Sequence, residues 1–405
     1  MWRCRRGTQL MGLGTSVLAV VIIILRALWS TEVSRPSTEL QLMNTTAFLN
    51  NLHHMSLEPV KTRETCQNSK VDVLIIVPSS VANYEARQAV RQSWGANLPP
   101  SWPLVFYVGA TTNSSLKALL TAEANQHDDI AQDSSFHDSY SNLTLKTLSL
   151  LMWAQKFCKN ATFTLKTDDD AFINIKKMHY LTVCVSEARQ NTYGRERQDN
   201  SQDSAMWGTD PTTQLSKESP QKNSCNRFKP KQYVNYFINS LSHEYESYMF
   251  GGYLYNRVKA DRDPHSKWYL DPKVYAGDIL PPFLSGTAYI MTSNIIPHLL
   301  EEAKHRPLIE LEDVYISGLV ASNGLKLKLS HLEGWSRFRP WWDSPCIYKE
   351  LLTAHGLSPS ELSTMTKNVN DINHSVCDSF TVKLTNTLNS LLSSILPRLP
   401  TKNKS

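Results

Sequence analysis

Thr164-Leu-Lys166-Thr-Asp168-Asp169-Asp170-Ala-Phe-Ile-Asn174 is a strand-like run that stops abruptly in three carboxylates. A buried strand giving way to a charged loop is the carboxyl edge of an open α/β sheet, where such sheets bind ligands. Like charges a few ångströms apart repel and raise one another's pKa, so the cluster needs a compensating partner. A hard divalent cation, Mg²⁺ or Mn²⁺, supplies one and can also bridge a diphosphate. An acidic loop capping the next helix is the ordinary alternative, and the surrounding sequence must decide.

Working outward, apolar runs at Val71–Val77 and Leu104–Val108 have the composition of buried parallel strands. Helix-like stretches at Tyr84–Trp94, Leu116–Glu123, Tyr140–Cys158 and Ile175–Glu187 alternate with them. Strands alternating with helices predict an α/β domain around a mostly parallel sheet flanked by helices. Residues 188–230 are rich in Gln, Asn, Ser, Asp and Lys, and are expected to form a mobile insertion or long surface loop.

The amino terminus is different. Nineteen uncharged residues lie between Arg6 and Arg26; as a helix they reach roughly 28 Å, about a hydrocarbon core. The arginines before them predict a cytosolic tail (1–6), a transmembrane signal-anchor (7–29) and a body outside the cytosol. Residues 30–70 read as a stem, 71–380 as the catalytic domain and 381–405 as a C-terminal tail. Of the net charge of +5, four arginines fall in residues 1–30, so the rest is nearly neutral and gives no electrostatic argument for nucleic acid. Six unspoiled sequons, at Asn44, Asn113, Asn142, Asn160, Asn373 and Asn403, agree with a lumenal body. So do six cysteines beyond the anchor, whose pairing the sequence leaves open.

Three further motifs carry chemistry. In Arg87-Gln-Ala-Val-Arg91-Gln-Ser-Trp94-Gly95 two arginines share a helical face, suited to a phosphate or to bracing an acidic loop. Glu310-Leu-Glu312-Asp313-Val314-Tyr315 places acids where a helix would start, which the helix dipole favours in any case. Pro281-Pro-Phe-Leu-Ser285-Gly286-Thr287-Ala288-Tyr289 is a turn running into a strand, with Gly286 allowing close backbone approach.

With Phe136-His-Asp138-Ser-Tyr140-Ser-Asn142-Leu-Thr-Leu-Lys146-Thr and Lys267-Trp268-Tyr269, these motifs resemble, in order, the β1,3-glycosyltransferase family of the Golgi. That family includes β1,3-galactosyl- and β1,3-N-acetylglucosaminyltransferases, and the resemblance spans about residues 71–345. Ser93 stands where Thr is usual, Leu284 where Cys is common, one extra residue precedes Gly318, and the 188–230 insertion is long.

The resemblance implies a GT-A-type fold and inverting transfer from a UDP-sugar, with galactose favoured over N-acetylglucosamine, to a glycan hydroxyl on a glycoprotein or glycolipid. It implies Mn²⁺ or Mg²⁺ on Asp168 and Asp170 with His331 as third ligand. Arg87, Arg91, Lys166, Asp168 and Asp169 would hold the donor. Asp313 would be the base, with Glu312 as the fallback. An inactive lumenal carbohydrate-binding or chaperone-like relative is the competing class, and oligomeric state is left open. A Golgi membrane location, single-pass with the catalytic domain lumenal, follows from the same likeness.

Overall fold

A computed structural model describes residues 55–199, 248–372 and 374–377. Tail 1–6, anchor 7–29, stem residues 30–54, insertion residues 200–230, the tail 381–405 and sequons Asn44, Asn373 and Asn403 lie outside them. Among the described residues no helix is long and apolar enough to cross a membrane.

In chain order the first half comprises β1 (Met55–Leu57), α1 (Val60–Asn68), β2 (Val73–Pro78), α2 (Tyr84–Gln92), β3 (Leu104–Ala110), α3 (Ser114–His127), β4 (Ile130–His137), α4 (Leu143–Phe157), β5 (Phe163–Thr167), β6 (Phe172–Ile173) and α5 (Ile175–Asp199). The second half comprises β7 (Phe250–Tyr255), β8 (Phe283–Thr292), α6 (Ile296–Ala303), a π-helical segment Val314–Gly324, β9 (Ser330–His331), α7 (Pro345–Glu350), β10 (Thr353–Ala354), α8 (Pro359–Asp371) and α9 (His374–Cys377).

The main sheet runs β1-β4-β3-β2-β5-β8-β7-β9. Its centre, β4-β3-β2-β5, is parallel throughout. β2 is buried along its whole length, which is why Val-Leu-Ile-Ile-Val is continuous rather than alternating. β8 and β7 then add antiparallel to β5 and to each other, and β9 returns parallel to β7. Two apolar layers cover the faces. One gathers α4, α6 and the π-helical segment, and the other gathers α2, α8 and β6.

Two boundaries differ from expectation. The stem was expected to reach residue 70, yet Met55–Leu57 pairs with β4 and Cys66 is bonded to Cys158 at the end of α4. Residues 55–70 are therefore part of the folded domain, held by a sheet edge and a cross-link. The helix expected to stop at Glu187 continues to Asp199, so 188–199 is helical rather than loop. At the other end Cys346 is bonded to Cys377, closing a loop that contains β10 and α8.

Candidate active site

The strand β5 ends at Thr167, and the three carboxylates occupy the turn between it and β6. The turn is pinned on both flanks. Asp168 N–H donates to Thr287 O of β8 at 3.0 Å, and the Trp94 indole donates to Ala171 O at 2.9 Å. The second contact explains the tryptophan of the Arg-Trp-Gly motif: it lies fully buried under the acidic turn.

β10 pairs with β6, Ala354 opposite Phe172, and so lays the next residue, His355, over the turn. Its Nε2 lies 3.0 Å from Asp170 Oδ1 and 3.5 Å from Asp168 Oδ2. One ligand atom from each of Asp168, Asp170 and His355 falls within 4.8 Å of the others. Two carboxylate oxygens and an imidazole nitrogen on half-exposed side chains suit a divalent cation such as Mn²⁺ or Mg²⁺. Burial opposes charge on His355, but Asp168 and Asp170 outweigh it and push the imidazole up to about 10. The carboxylates thus hold a positive charge there already.

Lys166 links this turn to a second acidic group. Its buried Nζ donates to Gly286 O at 2.7 Å and lies 3.3 Å from Asp168 Oδ1 and 3.4 Å from Glu312 Oε2. Burial opposes the ammonium, yet Asp168 and Glu312 hold its pKa above the ordinary lysine value. Glu312 also accepts the Tyr289 hydroxyl at 2.7 Å, so both of its oxygens are engaged. Asp313, next along, is half-buried and less occupied. Its Oδ1 accepts from Val314 N–H at 2.9 Å, and its Oδ2 receives only a long 3.3 Å contact from Gly286 N–H. Burial and the neighbouring Glu312 charge push the Asp313 carboxyl up to about 6. A Cβ on Gly286 would stand 3.0 Å from Glu312 Oε2 and 3.3 Å from Asp313 Cβ, so this glycine keeps the two carboxylates in place. Tyr140 stands at the rim, its phenol raised by burial and by Asp313 and Asp168.

Arg87 and Arg91 do not reach this cleft as donor ligands. Arg87 is almost wholly buried and forks onto Glu123 at 2.9 and 2.7 Å, with its remaining donors on Ser79 Oγ, Ser80 O and Val81 O. Arg91 grips Asp129 through two 2.7 Å bonds and Glu123 at 2.8 Å. Both guanidiniums are taken up by carboxylates and, for Arg87, by Ser79, Ser80 and Val81 as well, so of the two roles read from the motif, bracing fits. The brace reaches the acidic turn at one remove, since Ser79 Oγ donates to Asp169 at 2.6 Å. Asn83 donates to the same Asp169 oxygen at 3.0 Å, while burial raises that carboxyl's pKa. Lys146 of the Phe136–Thr147 motif ties Asp138 to Ser79 O and closes the adjoining end of β2.

His331 is the other correction. It sits on β9, three strands from β5, where its Nδ1 accepts Leu254 N–H at 3.2 Å and its ring packs on Tyr253. The imidazole at the acidic turn belongs to His355. The sequence does carry a signal for it: a histidine followed by Gly356 at positive φ and by the capping box Ser358–Glu361 is a turn held against a helix start. Its proximity to β6 is a long-range pairing that no local pattern reports. Of the described sequons, Asn113 and Asn160 are exposed and Asn142 is half-buried.

The sequence model of the galactosyltransferase family matches residues 85–236 and 226–333, taking in Lys166, the acidic turn, Gly286, Glu312 and Asp313. Human Beta-1,3-galactosyltransferase 1 is 24% identical over 372 residues, covering 87% of this chain and 94% of its own. The mouse protein of the same name matches to the same extent. Human Beta-1,3-galactosyltransferase 5 is 27% identical over 302 residues, covering 73% of this chain and 78% of its own.

Proposed function

Since the chain belongs to the galactosyltransferase family and is thereby a hexosyltransferase, we propose that it moves galactose from UDP-galactose to a hydroxyl of a glycan on a glycoprotein or glycolipid. The linkage is β1,3 and the anomeric configuration inverts. The observation that carries this reading is the placement of Asp313 beside Gly286, across Lys166 from the Asp168–Asp170–His355 group. One side can receive a proton and the other can hold a charged leaving group.

Inversion needs one base opposite the departing group. The acceptor oxygen bonds to C1 of the sugar as the C1–O bond to UDP breaks, and the hydroxyl proton passes to Asp313. A carboxyl with pKa near 6 is ionised at neutral pH yet basic enough to accept that proton. Glu312 is committed to Tyr289 and Lys166, and serves to orient rather than to exchange protons. Asp168, Asp170 and His355 would hold a divalent cation, Mn²⁺ or Mg²⁺, which would supply positive charge against the developing diphosphate. Asp169, fixed by Ser79 and Asn83, would help hold the donor. Residues 7–29 anchor the protein in the Golgi membrane with the domain lumenal.

The deciding experiment is a UDP-release assay on the fragment from about residue 31, with UDP-galactose, UDP-N-acetylgalactosamine, UDP-glucose and UDP-N-acetylglucosamine beside a panel of acceptor glycans. Acceptor-dependent release from UDP-galactose supports the reading. Preference for UDP-N-acetylglucosamine would reassign the donor, and no release from any donor would point to an inactive relative.

A further inference from the structure

At the same edge of the sheet as the acidic turn stands a cation that no carboxylate among the described residues neutralises. β8 runs antiparallel to β5 and β7 antiparallel to β8, so the end of β7 emerges on the edge where Asp168 lies. β9 parallels β7, and Arg337 follows shortly after its end. The guanidinium carbon of Arg337 is 4.8 Å from the ring centre of Tyr253, 4.6 Å from that of Tyr255 and 4.6 Å from that of Phe338. The two tyrosine rings meet edge to face at 5.2 Å, and Tyr255 stacks on Phe283 at 4.8 Å and 13°. Arg337 is half-buried, and the Tyr255 hydroxyl is a polar side-chain partner to it. Among the described residues no carboxylate lies within ion-pair distance of it, whereas Arg87, Arg91 and Arg339 each hold at least one at 2.8 Å or closer.

A guanidinium packed among aromatic rings is partly dehydrated, and the edge of N–H donors that the Tyr255 hydroxyl does not take stays available. Such an edge matches a carboxylate or a sulfate, and a charge left without its counter-ion inside the protein is one that a ligand can complete. Position says which ligand. Arg337 packs on Tyr253 and Tyr255 of β7, two strands from β5, while its neighbour Ser336 bonds to Thr353 of β10. The aromatic shelf itself leads toward the base. Phe283, beneath Tyr255, lies 3.2 Å from where a Cβ on Gly318 would be, in the segment that Asp313 starts. Burial raises the Tyr255 phenol's pKa, Arg337 opposes that rise, and the Asp313 carboxylate adds to it.

We propose that Arg337, flanked by Tyr253 and Tyr255, is a subsite for a negatively charged group on the acceptor glycan, a uronate carboxylate or a sulfate. It rests on Asp313 being the base that the acceptor hydroxyl reaches. The aromatic rings fix the guanidinium in orientation, and their exposed edges flank the sugar that bears the anion.

The test uses matched acceptors, a neutral hexoside and its 6-sulfated and 6-carboxylate counterparts, with wild type, Arg337→Lys and Arg337→Gln. Acceptor kcat/KM is read at saturating donor, and donor KM with each acceptor. Acceptor binding is read separately by saturation-transfer NMR with no donor present. Wild type is expected to favour the charged acceptors about ten- to a hundredfold, the value of one charge-assisted contact. Arg337→Gln should bring the ratio near one, and Arg337→Lys should keep part of it. A ratio near one in wild type overturns the proposal, as does a preference that survives Arg337→Gln. A loss seen equally with all acceptors and lying in donor KM assigns the cation to the diphosphate, and overturns it too. If no acceptor supports transfer, the hexosyl-transfer reading fails by itself, while arginine-dependent NMR binding of the charged hexosides still upholds the subsite.

Discussion

The His355 imidazole nitrogen stands 3.0 Å from a carboxylate oxygen of Asp170, although one comes from β10 and the other from the turn after β5. A metal that binds there must displace the proton this pair shares. With His355 raised to about 10, binding of Mn²⁺ should release about one proton at neutral pH, and affinity should rise as pH rises from 6 to 8. Calorimetry in two buffers of different ionisation enthalpy measures the proton. His355→Ala should weaken Mn²⁺ binding by at least about tenfold, and His331→Ala should not. Equal effects of both substitutions would put His331 back among the ligands.

Asp313→Asn should lower kcat by roughly 10²–10⁴-fold and leave donor affinity nearly intact. Because the base must be ionised, wild-type activity should rise with pH through about 6. Stability runs the other way. A carboxyl whose pKa is raised by folding favours the protonated form, so its ionisation costs stability as pH climbs from about 4 to 6. The Asn variant should therefore melt a few degrees higher at pH 7 while being nearly inactive. A variant that loses activity and stability together would mark Asp313 as structural.

Gly286→Ala puts a methyl 3.0 Å from Glu312 Oε2 and 3.3 Å from Asp313 Cβ. These neighbours must shift by a few tenths of an ångström. Displacement of reacting groups on this scale costs roughly tenfold to 10²-fold in rate. The expected result is a fall in kcat with a small change in Tm, since the strand pairing around Gly286 is kept. Unchanged kcat would show that the carboxylates need no such placement.

Arg87→Ala leaves Glu123 buried without one of its two arginines. The expected cost is about 3–5 kcal/mol of stability, measured by denaturant melts. Burial opposes ionisation of Glu123, but Arg87 and Arg91 hold its pKa below the ordinary range. That stabilisation is present above about pH 4.5 and is lost as pH falls through the folded pKa, so wild type should soften in acid more than the variant. A fold of normal stability with a raised donor KM would instead make Arg87 a phosphate ligand.

Asn113→Gln and Asn160→Gln should each remove one endoglycosidase-sensitive mobility step from the secreted or membrane-bound protein. Both are exposed and neither side-chain amide is buried by its hydrogen bonds. Carbonate extraction of the full-length chain should leave it with the membrane, and its release would remove the anchor assigned to residues 7–29.

The parts legible in the sequence are those whose causes are local. β2 and β5 announce themselves because burial on both faces demands uninterrupted apolar residues, and the acidic turn follows directly from where β5 must end. β4 escapes because Ile130-Ala-Gln-Asp-Ser-Ser-Phe-His buries Gln132 and Asp133. Their polar groups are satisfied by Gly109 O and by Ser149, partners on other elements. α1 escapes for a similar reason: its place is set by a bond to Cys158, not by its own pattern. The arginines are legible as a motif with two open roles, and the sequence cannot choose between them, since their acids, Glu123 and Asp129, come from α3 and the start of β4. His355 is the same case at greater range.

The loop closed by Cys346 and Cys377 has a bearing on the triad. It carries the histidine at the acidic turn, and its cross-link adds to the pairing of β10 with β6 and to the backbone bonds of Leu352 and Thr353 with Gly334 and Ser336 and of Leu357 with Asp170. Asp168 and Asp170, by contrast, follow directly from β5 inside the main sheet. The cross-link therefore bears on the histidine: its reduction is expected to leave the sheet standing and to loosen only the third corner of the triad.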